Sequence, residues 1–491
     1  MNSLTGKAIY LIGLNFIKYA IGFLVPIFIA RILSKHEYGT YQQVLLLINT
    51  LSGTMVLGVP TSIYYYYNLH KNDLHKKTLV MQSFIILNIS ALITVIAVNV
   101  ARYSIASSLG NERLIELIPI LSVYIYCFIV SEYYFHLLVS KDQYTKSVIF
   151  GVSESLLRSA LVLSAAFIYQ DVLALVIAIS IYAFARYSYS VYGSSEDFVS
   201  LKIFKAHQYV KKQILYSLPL AFTALVGLVG RMVDRYLITL HYTTSQFAVY
   251  TVGAIELPLD VIFQGSVANV LRTKIPRLVV EEKYSEVTAL ISEATRKLAL
   301  IILPIFMYLL FYGKDFILIL FTDKYTESVD VFIIYLMLTP LHIFILSVVP
   351  QSFGLTGIGF KIASFTILSN VVLSIILLKT IGFLGPAVST VLTTYMSVII
   401  YLYIVKKLLH KRIVDFVPVS EIIKVLALCF LLLLVLHNLH ISGLRTVDFF
   451  INGIIYVSCF IVIAWLTNIF KNADKDMVIS IRKRIPKYIG R

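Results

Sequence analysis

The sequence is short of almost everything that ties a chain to water. Charged residues fill only 14% of its 491 positions while 59% are apolar, a balance too hydrophobic for a soluble globular protein of this size. Cysteine is nearly missing: Cys127, Cys429 and Cys459 each fall inside an apolar run, so neither a disulfide framework nor a metal site is expected. No Gly-x-x-x-x-Gly-Lys-Ser/Thr phosphate loop occurs, which argues against ATP hydrolysis by the chain itself. Acidic residues number 26 against 42 lysines and arginines, for a net charge of +16. Such an excess can signal nucleic acid. Here the basic residues collect in alternate loops, as the positive-inside rule requires, and no nucleic-acid partner is expected.

What the chain has instead is a series of apolar runs of about 20 residues, each matching a hydrocarbon core roughly 30 Å thick. The expected fold is an all-α integral membrane protein, because barrel strands would be about 10 residues long with alternating character. About fourteen spans can be drawn. The first six are Ile9–Ile32, Tyr41–Tyr64, Leu79–Val100, Glu116–Val139, Val148–Ile168 and Val172–Tyr192. The remainder are Ser217–Leu240, Gln246–Leu271, Lys297–Leu320, Val329–Gln351, Ile362–Ile381, Leu384–Val405, Ile422–Leu439 and Val447–Ile469. The first is read as a retained span and not a signal peptide, since its apolar run is too long and no small-residue cleavage site follows. Charge asymmetry between loops places both termini in the cytoplasm. The outer loops are too short to hold a catalytic domain.

The expected organisation is a lobe of spans one to six (1–192), a polar linker (193–216), a second lobe of spans seven to twelve (217–405), two peripheral spans (406–470) and a basic tail (471–491). Internal similarity supports two pseudo-symmetric six-helix lobes. Ser34–Tyr41 and Thr243–Tyr250 share a pattern of polar, Glu/Gln, aromatic, small and Tyr. Tyr144 with Ser153-Glu154 matches Phe360 with Ser369-Asn370 at the same spacing. Most of the tyrosines near helix ends suit an interfacial belt.

Several ionisable residues are buried by sequence. Arg231, Asp234 and Arg235 share one helical face in span seven. At roughly 2.5–3.5 kcal/mol for each ionised group at the centre of a membrane helix, they must face a partner or a water-filled cavity. Either they form a functional site or Asp234 makes an internal salt bridge with one of the arginines. Lys18 shares a face of span one with Asn15. Glu154 and Arg158 stand four apart in span five, where a local structural pair is expected. Glu256, Asp260 and Gln264 form a stripe down span eight around Pro258, and Glu132 is read as solvated at an inner end. Pro26, Pro219, Pro258, Pro304 and Pro340 supply expected helix interruptions. Candidate substrate contacts are therefore Lys18, Asn15, Arg158, Arg231 and Arg235. Asp234, Glu256, Asp260, Glu154 and Gln264 are candidates for ion coupling or charge pairing.

With this layout, Ala30–Tyr41 (Ala-Arg-Ile-Leu-Ser-Lys-His-Glu-Tyr-Gly-Thr-Tyr), Val233–Ile238 (Val-Asp-Arg-Tyr-Leu-Ile) and the Gly-x-x-Gly-x-Ala pattern in Ile381–Thr390, the chain resembles the polysaccharide-biosynthesis transporters. These are lipid-linked oligosaccharide flippases of the Wzx type, in the multidrug/oligosaccharidyl-lipid/polysaccharide exporter superfamily. The resemblance implies a bacterial inner-membrane flippase that carries an undecaprenyl-diphosphate-linked glycan unit to the periplasmic leaflet for O-antigen or capsule-like polysaccharide. Lys18, Arg231 and Arg235 would hold the diphosphate or acidic sugars. The implied partners are that glycolipid, membrane lipid and a glycan polymerase or chain-length protein, with no cofactor beyond a coupling proton or sodium ion. Competing readings are an ion-coupled multidrug extruder, which would want a net acidic cavity, and a membrane polymerase or ligase, which would want a large outer loop.

Overall fold

The computed structural model describes residues 18, 20–69, 72–198, 207–255, 257–258, 263–436, 443–467 and 469–470, and among these the chain is helical, without strands. In chain order the helices are α1 (Ala20–Ile32), α2 (Lys35–Met55), α3 (Val59–Leu69), α4 (Asp73–Ser108), α5 (Leu114–Ser131), α6 (Tyr133–Ser140), α7 (Tyr144–Tyr169), α8 (Val172–Gly193), α9 (His207–His241) and α10 (Thr244–Gly253). There follow α11 (Gly265–Val280), α12 (Tyr284–Phe321), α13 (Ser328–Leu336), α14 (Val348–Ser352), α15 (Thr356–Ile381), α16 (Gly385–Leu409), α17 (Ile413–Phe416), α18 (Val419–Leu436) and α19 (Arg445–Leu466). The protein is an all-α integral membrane protein.

Ten described helices are long and apolar enough to cross a membrane, and Val210–Leu228 with Gly230–His241, bent by 51°, makes an eleventh. The difference from fourteen has three sources. α15 and α16 run together through a 3-10 turn at Gly382–Leu384 but hold two expected spans. The first span is described only from Lys18 onward, and the eighth is divided between α10 and α11. Helices also overrun the apolar segments that suggested them: α4 has 36 residues, about 54 Å at 1.5 Å per residue, against a core of roughly 30 Å. The segment 272–296 between expected spans eight and nine is itself helical, since α11 and α12 meet at a turn over Glu281–Lys283 with Glu282 at φ 55°.

The repeated pattern has a local physical meaning. In the first copy Ser34 accepts the Glu37 N–H at 3.1 Å to begin α2. In the second, Thr243 accepts the Gln246 N–H at 3.3 Å while Gln246 accepts the Thr243 N–H at 3.1 Å, a reciprocal capping box at the start of α10. Glu37 does not complete its box. Its carboxylate instead accepts the Val172 N–H at 2.8 Å and meets Arg113 at 3.2 Å, tying α2 to the start of α8.

The chain forms two compact units. Met1–Val252 with Ile367–Thr390 makes the first, and Gly253–Thr366 with Val391–Arg491 the second. In the first, α5 is the central helix, packed on α4 and α8, with Leu114, Ile118, Leu121, Ile125 and Ile129 fully buried. α9 is pinned near both ends by neutral amides. Gln213 donates to Ser62 at 2.9 Å and Ser83 at 2.8 Å, and at the far end Gln43 donates to Thr239 at 2.8 Å and to the Leu109 carbonyl at 2.9 Å. The Ile367–Thr390 part is the tip of a helical hairpin, in which Ser389 donates to the Asn370 carbonyl at 3.1 Å. The Gly-x-x-Gly-x-Ala pattern is explained there: Gly382 takes φ +70°, a Cβ on Gly385 would stand 2.4 Å from the Leu377 carbonyl, and Ala387 is fully buried.

In the second unit α12 is central, with α13, α18 and α19 against it. Tyr308 stacks between Tyr312 and Tyr456 at 4.8 and 5.4 Å. Of the five expected proline interruptions, only Pro258 and Pro340 lie at breaks. Pro26, Pro219 and Pro304 sit inside helices, as a helix tolerates when its surroundings hold it on course.

Two glycines give opposite expectations. A Cβ on Gly39 would stand 2.0 Å from the Thr244 carbonyl oxygen, whereas one on Gly22 in α1 meets nothing within 4 Å. Gly39→Ala should lower the thermal midpoint of the purified protein, by the ~1–3 kcal/mol or more of an overpacked contact. Gly22→Ala should leave it unchanged or raise it by up to about 1 kcal/mol. Equal midpoints in the two variants would refute the close approach at Gly39.

Candidate functional site

Two sets of charged side chains inside the helices of the first unit contrast: one is paired, and the cations of the other make no ion pair among the described residues. The paired group centres on Arg186 in α8, which is 6% exposed. Its guanidinium meets Glu132 at 2.7 Å and pairs with Glu154. It also donates to Ser131 at 2.6 Å and the Phe128 carbonyl at 3.1 Å, and lies over the Phe128 ring at 4.4 Å. Tyr182, one turn before it, donates to Glu154 at 2.9 Å. Such a network is stable in a membrane because each carboxylate and most guanidinium N–H groups have partners.

This arrangement corrects two expectations. Glu154 does not pair with Arg158 on its own helix; Arg186 of the next helix takes it. Glu132 is not a solvated or snorkelling residue but the second carboxylate on the same arginine. Arg186 itself was missed, although an arginine inside the apolar run Val172–Tyr192 is a signal the sequence carries.

The second group is cationic. With Glu154 engaged elsewhere, Arg158 has no carboxylate within 4 Å among the described residues, and its neighbours are the side chains of Tyr41, Tyr124 and Tyr182. Gly151 lies seven residues before Arg158 and so on the same face of α7. A Cβ there would stand 3.8 Å from the Lys18 ammonium, which places Lys18 and Arg158 along one side of that helix, with no ion pair to Lys18 among the described residues.

Arg231 and Arg235 likewise make no ion pair among the described residues. Asp234 between them is 6% exposed, accepts from the Tyr250 hydroxyl at 3.3 Å and is within electrostatic reach of Arg235. Arg231 folds back over Gly227, where a Cβ would lie 3.7 Å from its Nη1. Tyr38 is within electrostatic reach of Arg235 and Tyr41 of Arg158. These tyrosines stand three apart on α2, so one face of that helix lies between the two arginines.

Gln264 lies in the other unit. It donates to the Phe344 carbonyl at 2.6 Å and lines a cavity there. Asn15, Glu256 and Asp260 fall outside the described residues.

A family profile described as polysaccharide biosynthesis protein matches residues 4–279. The chain belongs to the polysaccharide biosynthesis protein family. That match takes in two of the three segments that carried the resemblance, Ala30–Tyr41 and Val233–Ile238. No curated protein matches this family member by sequence. Among solved structures its fold is similar to the lipid II flippase MurJ in an inward closed conformation, at 16% identity and a TM-score of 0.78, covering 94% of this chain and 98% of that one. It is also similar to an inward-facing MATE family multidrug resistance transporter of the MOP superfamily, at 14% identity and 0.62, covering 80% and 94%. A third is a MOP superfamily transporter from Pyrococcus furiosus described as having a binding pocket of reversed polarity, at 15% and 0.55, covering 82% and 94%. Identities this low establish the fold, and the fold of this polysaccharide biosynthesis protein is one that transporters use.

The two charge groups predict different mutant behaviour. Arg186→Met strands two carboxylates and should cost about 3–5 kcal/mol, read as a large drop in thermal midpoint or a loss of folded protein. Arg158→Met strands no carboxylate and should change the midpoint little. Comparable destabilisation by both would show that Arg158, too, is held in a structural pair.

Proposed function

We propose that this protein is a flippase that moves an undecaprenyl-diphosphate-linked oligosaccharide from the cytoplasmic to the periplasmic leaflet of a bacterial inner membrane. It works by alternating access, with both termini cytoplasmic, and supplies O-antigen or capsule-like surface polysaccharide assembly, where a polymerase and chain-length protein would act next. The observation that carries this reading is a set of cations that make no ion pair among the described residues: Lys18, Arg158, Arg231 and Arg235. Such groups cannot face lipid at ~2.5–3.5 kcal/mol or more apiece, so they require water or an anionic ligand. Arginine presents a planar donor fork suited to phosphate oxygens, and lysine adds a point charge.

Family membership supports the glycan part of the reading, and the transporter fold supports movement over chemistry. A site in which cations outnumber carboxylates among the described residues is the wrong polarity for organic cations, which weighs against a multidrug extruder. Moving a diphosphate outward can draw on the membrane potential at about 2.3 kcal/mol per charge per 100 mV, so a proton or sodium ion is needed only for resetting. Asp234 is the residue for that role, or for orienting its flanking arginines.

The test is periplasmic exposure of the lipid-linked glycan in cells carrying Lys18→Ala, Arg158→Gln, Arg231→Ala or Arg235→Ala at matched protein levels. Each lost charge-assisted contact, at ~1.5–3 kcal/mol, should lower transport about tenfold or more. Full transport in all four would remove the cationic site from the path.

A further inference from the structure

The second unit contains a cavity that the charged positions do not explain. Two interrupted spans border it: Ile255 and Leu257 follow α10, and the stretch between α13 and α14, with its 3-10 segment Thr339–Ile343, supplies much of the wall. The space measures about 300 Å³, the lower end of the range for small-molecule pockets. Irregular backbone at membrane depth persists only where protein encloses it or where it lines a cavity, and interrupted helices flank ligands in many transporters.

The breaks are held by side chains. Gln264 donates to the Phe344 carbonyl at 2.6 Å and Tyr395 to the Met337 carbonyl at 2.9 Å, so these freed backbone acceptors are satisfied. Ser397 also donates to the Thr394 carbonyl at 2.8 Å, but three hydroxyls on the wall are not engaged in this way. Among the described residues the hydroxyls of Thr339, Ser347 and Tyr401 make no hydrogen bond, although Thr339 is only 6% exposed. Hydroxyl groups so placed open onto the cavity with donor and acceptor capacity that the described residues leave unused.

The lining also limits what that partner is. Among the described residues no lysine, arginine, aspartate or glutamate lines the cavity, so none of these residues offers a diphosphate a counter-charge or an organic cation a carboxylate. An acyl chain would bury the hydroxyls without hydrogen bonds, at a cost of about 1–3 kcal/mol each. Neutral donors and acceptors beside the rings of Phe332 and Tyr335 suit an uncharged ring rich in hydroxyls.

We propose that this cavity is a binding site for an uncharged sugar ring, an assignment of ligand that rests on the glycan-transport reading above. Its wall would determine which glycans are accepted, while the cations of the first unit respond to phosphate whatever the sugar.

The experiment is thermal unfolding of the purified full-length protein with two probes: the glycan unit released from its lipid by mild acid, and inorganic diphosphate. The free glycan should raise the midpoint of the unaltered protein by about 2 °C or more. Ser397→Phe, which fills the cavity, should abolish that rise and keep the rise with diphosphate. Should that variant fail to fold, Thr339→Val with Tyr401→Phe carries the test and should weaken the apparent glycan affinity roughly tenfold or more. Arg231→Ala should do the reverse, losing the diphosphate effect and keeping that of the glycan. No rise with glycan in the unaltered protein, or a rise that survives the cavity variants, overturns the sugar site. Absence of the diphosphate effect alone overturns the cationic site and leaves the cavity assignment standing.

Discussion

In hydrocarbon a charge or a backbone carbonyl without a partner costs several kcal/mol, and the arrangement of this protein follows from how each such group finds one. Arg186 is the clearest case. It draws Glu132 from the end of α5 and Glu154 from α7 onto α8, so three helices of the first unit are fixed by one guanidinium. Because Glu154 is taken there, Arg158 is left among tyrosines. A structural pair, and a cation with no carboxylate within 4 Å among the described residues, are two consequences of one side chain's choice of partner.

The same constraint acts on the backbone. α9 is attached near both ends through glutamines, serines and a threonine rather than charges. In the second unit, side-chain amide and phenol groups satisfy carbonyls where α13 gives way to the 3-10 segment and extended chain. A break repaired in this way creates concave space lined by hydroxyls, whereas an intact helix would have hidden its backbone and presented only side chains.

The neighbours with known structures include a lipid II flippase and multidrug transporters, so the fold by itself does not choose between anionic glycolipids and drugs. Charge makes the distinction available. One scaffold can present lysine and arginine or carboxylate to its cargo. In this chain Arg186 engages Glu132 and Glu154, while Lys18, Arg158, Arg231 and Arg235 make no ion pair among the described residues.

The membrane class, the helical content, the apolar segments and the family were legible in the sequence, because a hydrocarbon slab selects composition and run length one residue at a time. The repeated motif was legible too, since an N-cap is a contact over three residues. Partner choice was not. Spacing of four puts Glu154 beside Arg158 on one helix, but Arg186 of the next helix competes for it and wins with a buried guanidinium that also reaches Glu132 and Ser131. Likewise five prolines looked equivalent in sequence, and only tertiary packing decided that Pro258 and Pro340 would mark breaks while Pro26, Pro219 and Pro304 would not. Local composition determines what a segment can be; which groups are satisfied, and therefore which remain available to a ligand, depends on residues far away in the chain that only the fold brings within reach.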